Sequence, residues 1–215
     1  MTETLPVLSL VESRVLGTLV EKQRTVPDTY PLSLNALQAG CNQKTSRHPV
    51  IEAGEGELLQ AIDTLKDLGL VLEVSGSRVS RFEHQLEKVL GVPTQASALL
   101  TVLLLRGPQT AGELRLNCER LHRFADISSV EAFLEELASR PGTPLVVELP
   151  RLPGARENRW MHLLCGQPEN EPKIEMRGGS AAAEVDEQKA RVAALESEMA
   201  EMRAELRSAL ARLAV

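Results

Sequence analysis

The stretches SLNALQAGC (33–41) and TAGELRLNC (110–118) decide the fold, because they are one pattern used twice. Ser33, Leu37 and Cys41 recur as Thr110, Leu114 and Cys118 at the same spacings. The pattern continues in LLQAIDTL (58–65) and VEAFLEEL (130–137), where Leu58, Ile62 and Leu65 recur as Val130, Leu134 and Leu137. Steps of three and four residues put each set on one helix face. An apolar helical stretch precedes each copy, and a strand–turn–strand pattern follows it. Three helices and a hairpin make a winged helix. The expected architecture is mainly α with small β-wings (α+β): two tandem winged-helix domains, at 1–90 and 91–166.

Working outward in the first copy, Ser9-Leu-Val-Glu12 is a capping box that opens a helix carrying Val11, Val15, Leu16, Leu19 and Val20. That helix should end near Gln23, before the proline-broken loop TVPDTYP. Ser33 restarts a helix, and the polar run Asn42–His48 follows it up to Pro49. The third helix spans about Glu55 to Leu68, with Gly69 as its stop. Leu70–Val74 and Arg78–Phe82 read as strands around Ser-Gly-Ser. Leu90–Pro93 reads as the linker between copies.

In the second copy, Ala98–Leu105 is apolar almost all round, which marks a helix buried on more than one side. It is expected at a contact between the two copies or between two subunits. Thr110-Ala-Gly-Glu113 and Ser128-Ser-Val-Glu131 read as capping boxes for the second and third helices. Leu145–Leu149 and Arg159–Leu163 read as strands around the long loop PRLPGAREN. Beyond Gly166, residues 167–183 read as a flexible linker and 184–215 as a coiled-coil helix or, failing that, a lone amphipathic helix folded back on the body. Val192, Met199 and Leu206 fall at heptad position a and Leu195 and Met202 at d, a seam for a homodimer. Its flanking pairs Glu184–Lys189, Arg191–Glu196 and Glu198–Arg203 are opposite in sign.

Composition narrows the function classes. The net charge is −6. Acids exceed bases by three in residues 1–93 and in 167–215, and the two balance in 94–166. No segment is broadly basic, so non-specific phosphate binding is not favoured. Aromatics make up only 2% of residues, so the core must be aliphatic. Cys41, Cys118 and Cys165 are odd in number, widely spaced and outside any CxxC pair, which fits a reducing cytoplasm and no structural zinc. The segment MTETLPVLSLVES has no basic region followed by an apolar core, so no signal peptide is expected. The longest apolar run, Ala98–Leu105, is too short for a membrane span.

Five motifs resemble the YceH-like family of bacterial proteins of unknown function. They are Tyr-Pro-Leu-Ser (30–33), Cys-Asn-Gln-Lys-Thr-Ser-Arg (41–47), Leu-Leu-Leu-Arg-Gly (103–107), Gln-Thr-Ala-Gly-Glu-Leu-Arg (109–115) and Arg-Trp-Met-His-Leu (159–163). The resemblance covers about residues 8–166 and implies a tandem winged-helix body. It implies no substrate.

Three surfaces compete as the functional one. The loop NQKTSRH (42–48) offers Lys44, Arg47, Thr45 and Ser46 to phosphates, or is a solvated loop bonded to its own backbone. In the second copy, Arg115, Arg120, Arg123, Arg151, Arg156 and Arg159, with His122, suit a wing laid along a minor groove. The same arginines could instead pair with Glu119, Asp126 and Glu157. The third helices, which usually read DNA in this fold, are acidic: Glu55, Glu57, Asp63 and Asp67 in one, Glu131, Glu135 and Glu136 in the other. Acids facing phosphates cost binding energy. Two functions therefore stand side by side, a nucleic-acid-binding regulator-like protein and a protein-interaction scaffold. Cys41 and Cys118 read as small core residues. The four histidines are scattered singly, and neither a metal site, a cofactor nor a catalytic constellation is expected.

Overall fold

Ser9 starts the fold as the sequence predicts, its hydroxyl accepting from Glu12 N at 3.2 Å while Glu12 Oε2 accepts from Ser9 N at 2.7 Å. The computed structural model describes residues 7–75 and 79–167. Helix α1 (Leu10–Thr25) lies at the centre of the described residues. It is buried on both sides, not only along its aliphatic stripe: Ser13, Arg14, Gly17 and Thr18 are as enclosed as Val15 and Leu19.

The first copy continues with a short strand β1 (Leu32–Ser33), helices α2 (Leu34–Cys41) and α3 (Glu55–Asp67), and strands β2 (Val71–Ser75) and β3 (Ser80–His84). The second consists of α5 (Thr94–Arg106), α6 (Ala111–Asn117), α7 (Ile127–Ala138), β4 (Val146–Leu149) and β5 (Arg159–His162). A short helix α4 (Leu86–Leu90) lies between them. Seven helices and small antiparallel sheets among the described residues make a mixed α+β fold.

The repeated residues do the same job in both copies. Ser33 and Thr110 both cap a second helix, accepting from Ala36 N and Glu113 N. Leu37, Cys41, Leu58, Ile62 and Leu65 are buried, and so are Leu114, Cys118, Val130, Leu134 and Leu137. The repeat also runs further than its spacing revealed. Leu32 pairs with Phe82 and Ser33 with Arg81, so the residues just before α2 become the third strand of the first sheet, in the order β1-β3-β2. In the second copy Gln109 holds the corresponding place and bridges Trp160. Phe82 and Trp160 are thus equivalent, and so are the histidines two residues on: His84 faces Val71 and His162 faces Val146. These histidines are a matched pair, not scattered singles.

The two copies share one hydrophobic cluster. Gly17 is a point of close approach between α1 and α5, since a Cβ there would meet Leu105 Cδ2 at 3.0 Å and Leu104 Cβ at 3.2 Å. Arg24, in the last turn of α1, adds a polar clamp. Its Nη2 reaches Glu87 Oε1 at 2.6 Å and its Nη1 donates to Leu121 O at 3.2 Å. The Leu90–Pro93 stretch is part of this packing, with Leu90 and Val92 both buried.

Three expectations need correction. Of the two contacts expected for Ala98–Leu105, the one between the copies is present and the one to a second subunit is not, because every residue of the segment is 3% exposed or less within one chain. Ser128 is not the cap of α7. Asp126 is, with extended backbone and Oδ1 accepting from Ser129 N at 2.7 Å. A carboxylate facing the positive end of a helix outcompetes a hydroxyl two residues later, so Ser128 lies inside the first turn. Helix α1 also outruns its expected end by two residues and closes at Thr25, in front of a turn at Pro27–Thr29. The linker 167–183, beyond Gln167, and the coiled-coil positions Val192, Leu195, Met199, Met202 and Leu206 lie outside the described residues.

Candidate functional site

Loop 42–54 joins α2 to α3 and is fixed from below. Asn42 accepts from Ala53 N at 2.9 Å and donates to Ala53 O at 3.0 Å, tying the loop's two ends together. Arg14 reaches it from the middle of α1, fully buried. Its Nη1 donates to Cys41 O at 3.2 Å and its Nη2 to Pro49 O at 2.6 Å. A buried cation needs such partners, and the carbonyl at the negative end of α2 is a good one. Burial, and then the charge of Arg47, lower the Arg14 pKa.

Arg47 is the second strut. Its side chain is buried and makes a two-point pair with Glu21, at 3.1 and 2.6 Å, and it donates to Gly40 O, Ser46 O and Gln43 Oε1. Burial alone would raise the Glu21 pKa. The hydrogen bond and charge of Arg47 outweigh it, and the net shift is downward. Arg47, expected to touch phosphate, spends its donors inside the protein. Lys44 is exposed and has no ion pair or hydrogen bond among the described residues. Ser46 turns the loop tip with a left-handed φ of 59°, and its hydroxyl accepts from Arg106 Nη2 at 2.7 Å. His48 N donates to Leu105 O at 2.8 Å. The C-terminal end of α5 thus belongs to this site, and nothing in the spacing of the sequence pointed to it.

The arginine set of the second copy is dispersed. Arg115 Nη2 donates to Ala125 O at 3.1 Å and closes the turn before α7. Arg123 lies 3.6 Å from Glu119 on the surface. Arg120 is exposed beside it, and Arg151 and Arg156 lie on the fully exposed loop 150–158. Arg159 is half-buried on β5, opposite Leu149. Glu157 folds back toward α6, where a Cβ on Gly112 would stand 3.8 Å from its Oε2. The structure therefore brings no compact group out of Arg115, Arg120, Arg123, Arg151, Arg156 and Arg159.

The acidic side chains of the third helices point outward. On α3, Glu55, Glu57 and Asp63 are exposed. The one cation there, Lys66, is held by Glu73 at 2.6 Å and Asp63 at 3.7 Å. On α7, Glu131, Glu135 and Glu136 are exposed.

Among the described residues no three His, Cys, Asp or Glu side chains come together as metal ligands, and no helix is long and apolar enough to cross a membrane. The thiols of Cys41 and Cys118 are buried, and burial pushes them up to about 11 and about 12. Burial also pushes His84 and His162 down to about 4. His84 has partners in Gln23 Oε1 at 2.8 Å and Leu86 N at 3.3 Å, whereas His162 Nδ1 has none.

Residues 8–155 match the family described as "Protein of unknown function, DUF480". The chain is 73% identical over 205 residues to a UPF0502 protein of Dechloromonas aromatica, covering 95% of this chain and 96% of that one. It is 62% identical over 200 residues to a UPF0502 protein of Burkholderia pseudomallei, covering 92% and 85%. It is 70% identical over 160 residues to one of Burkholderia ambifaria, covering 74% and 67%.

Proposed function

We propose, for a chain that belongs to the uncharacterised UPF0502 (DUF480) family, that it is a protein-binding scaffold of two winged-helix units. The observation that carries this reading is the outward acidity of both third helices. In a winged helix that surface is the one that enters a DNA groove. Here it presents Glu55, Glu57 and Asp63 on one unit and Glu131, Glu135 and Glu136 on the other, with Lys66 already paired. Phosphates are repelled there, and a lysine- or arginine-rich protein segment is attracted. The coiled-coil tail, where homodimerisation is expected, would present two copies of the surface.

The test is affinity capture with the full chain and with Glu55→Lys/Glu57→Lys/Asp63→Lys, each at low and physiological salt. The reading expects basic partners that the wild type retains and the triple variant loses. Retention of the same partners by the variant would sink it. One observation favours a second reading, nucleic-acid binding by the second unit: Arg151 and Arg156 project from loop 150–158 without an ion pair among the described residues. Arg151→Ala/Arg156→Ala should then weaken duplex binding and flatten its salt slope by about two.

A further inference from the structure

We propose that the tip of loop 43–48, together with Arg106, is a binding site for a phosphate ester. The local charge is opposite to that of the whole chain. Lys22, Arg47 and Arg106 each bond directly to loop residues 43–46, Lys44 projects from the loop, and Arg14 lies buried beneath it. Among the described residues the carboxylate in an ion pair with any of these five cations is Glu21, which pairs with Arg47 and Lys22. Buried charges are poorly screened by salt, so Arg14, which bonds to carbonyls, adds a positive potential at the loop surface without offering donors to it, while the charge of Arg47 is met by Glu21.

The donors that face outward are separate from those struts. Lys44 has no partner among the described residues. Among the described residues Arg106 gives only its Nη2, to Ser46, which leaves its remaining N–H groups without a partner there. Ser46 Oγ accepts that bond, so its own hydrogen is left to donate. Thr45 is exposed between them. An ammonium, part of a guanidinium and two hydroxyls match what a phosphate dianion accepts. The shape is also held. Ser46 keeps a left-handed backbone that serine rarely adopts, and residues held in such conformations by their surroundings cluster at ligand sites. Arg47, Arg106 and the His48–Leu105 hydrogen bond supply that hold.

One chemistry has two sources here, the backbone of a nucleic acid or a small phosphorylated molecule. The full chain, labelled with nitrogen-15, is titrated with inorganic phosphate while backbone amide shifts are followed. In parallel, a fluorescent 20-base-pair duplex is followed by anisotropy. The proposal expects saturable shifts confined to residues 43–48 and 105–107. Lys44→Glu with Arg106→Gln should weaken them at least tenfold. Duplex binding that phosphate competes away, and that the same pair of substitutions abolishes, assigns the site to nucleic acid. Phosphate shifts without duplex binding assign it to a small phosphate ester. No saturable shift at the loop, or shifts unchanged in the variant, overturn the proposal. Lys44→Glu alone guards against misfolding, because Lys44 holds nothing in place, and it should still cost several-fold. Capture of a basic partner by α3 and α7 is indifferent to Lys44→Glu, so this site and the scaffold reading fail separately.

Discussion

The two copies share a core and differ in what they do with their cations. In the first, Arg14 and Arg47 are drawn inside to hold a long polar loop, and they meet backbone carbonyls and one carboxylate. In the second, the segment between α6 and α7 is short, and Arg120, Arg123, Arg151 and Arg156 remain at the surface. The aliphatic positions that identify the repeat are common to both and so cannot separate their roles. Function in a repeated fold has to be sought where the copies differ, in the polar insertions between matched helices.

The largest effect should come from removing a buried strut. Arg47→Ala leaves Glu21 partly buried with only Lys22 beside it and orphans Gly40 O. Breaking such a pair from one side costs about 3–5 kcal/mol. Arg123→Ala in the second copy removes an exposed contact at 3.6 Å and should cost at most about 0.5 kcal/mol. Urea unfolding of both variants checks the contrast. Equal, small losses would mean that the first copy does not depend on its buried arginines.

Acid comes next, and here the copies should behave alike. His84 and His162 have folded pKa values near 4, below the ordinary value of 6.5. The neutral ring is therefore the folded form, and the unfolded chain binds more protons between those values. Each histidine's contribution is fully present above pH 6.5 and is lost as pH falls toward 4, to a limit of about 3 kcal/mol each. His162→Leu, with no hydrogen bond to lose at Nδ1, should flatten the acid limb at little cost at pH 7. His84→Leu should flatten it too, while losing about 1–2 kcal/mol at pH 7 through Gln23 and Leu86 N. Unfolding midpoints from pH 4 to 8 separate the two.

What the sequence disclosed follows from what periodicity can carry. The matched spacings of Leu37/Leu114 and Ile62/Leu134 placed the helices, because burial on one face leaves a mark every three or four residues. The sheet's third strand escaped notice, because two residues at Leu32–Ser33 and one at Gln109 are too few to alternate. Arg14 and Arg47 escaped for a different reason. An arginine in a sequence reads as surface, and only the fold shows that carbonyls of α2 and Pro49 wait for it. The equivalence of His84 and His162 was present in the text as Phe-x-His and Trp-x-His, but a single aromatic match across loops of unequal length is hard to see. Arg106 joined the loop site through packing of α5 on α1, contact that no local pattern encodes.

A smaller effect tests one repeat position directly. Gly40 and Asn117 both stand seven residues after their caps, Ser33 and Thr110. A Cβ at Gly40 would come within 2.6 Å of Thr18 Cγ2, so Gly40→Ala must push α2 off α1 and should cost about 1–3 kcal/mol. Asn117 Nδ2 donates to Gln109 Oε1 at 2.7 Å, and Asn117→Ala should cost about 1 kcal/mol. Thermal unfolding ranks them. The reverse order would mean that the second helix packs more tightly in the second copy.

The smallest effect decides how the third helices begin. In the first copy Gly54 precedes α3, and its N–H donates to Glu57 Oε2 at 2.8 Å, so the cap comes from inside the helix. In the second, Asp126 supplies both a hydrogen-bond acceptor and a charge to the free N–H groups of α7. Asp126→Ala should cost about 1 kcal/mol, whereas Ser128→Ala, one turn position inside the helix, should change little. Equal losses would restore Ser128 as the cap. A loss at Asp126→Ala that Asp126→Asn shares in part would show that charge at the helix start, and not only the hydrogen bond, stabilises α7.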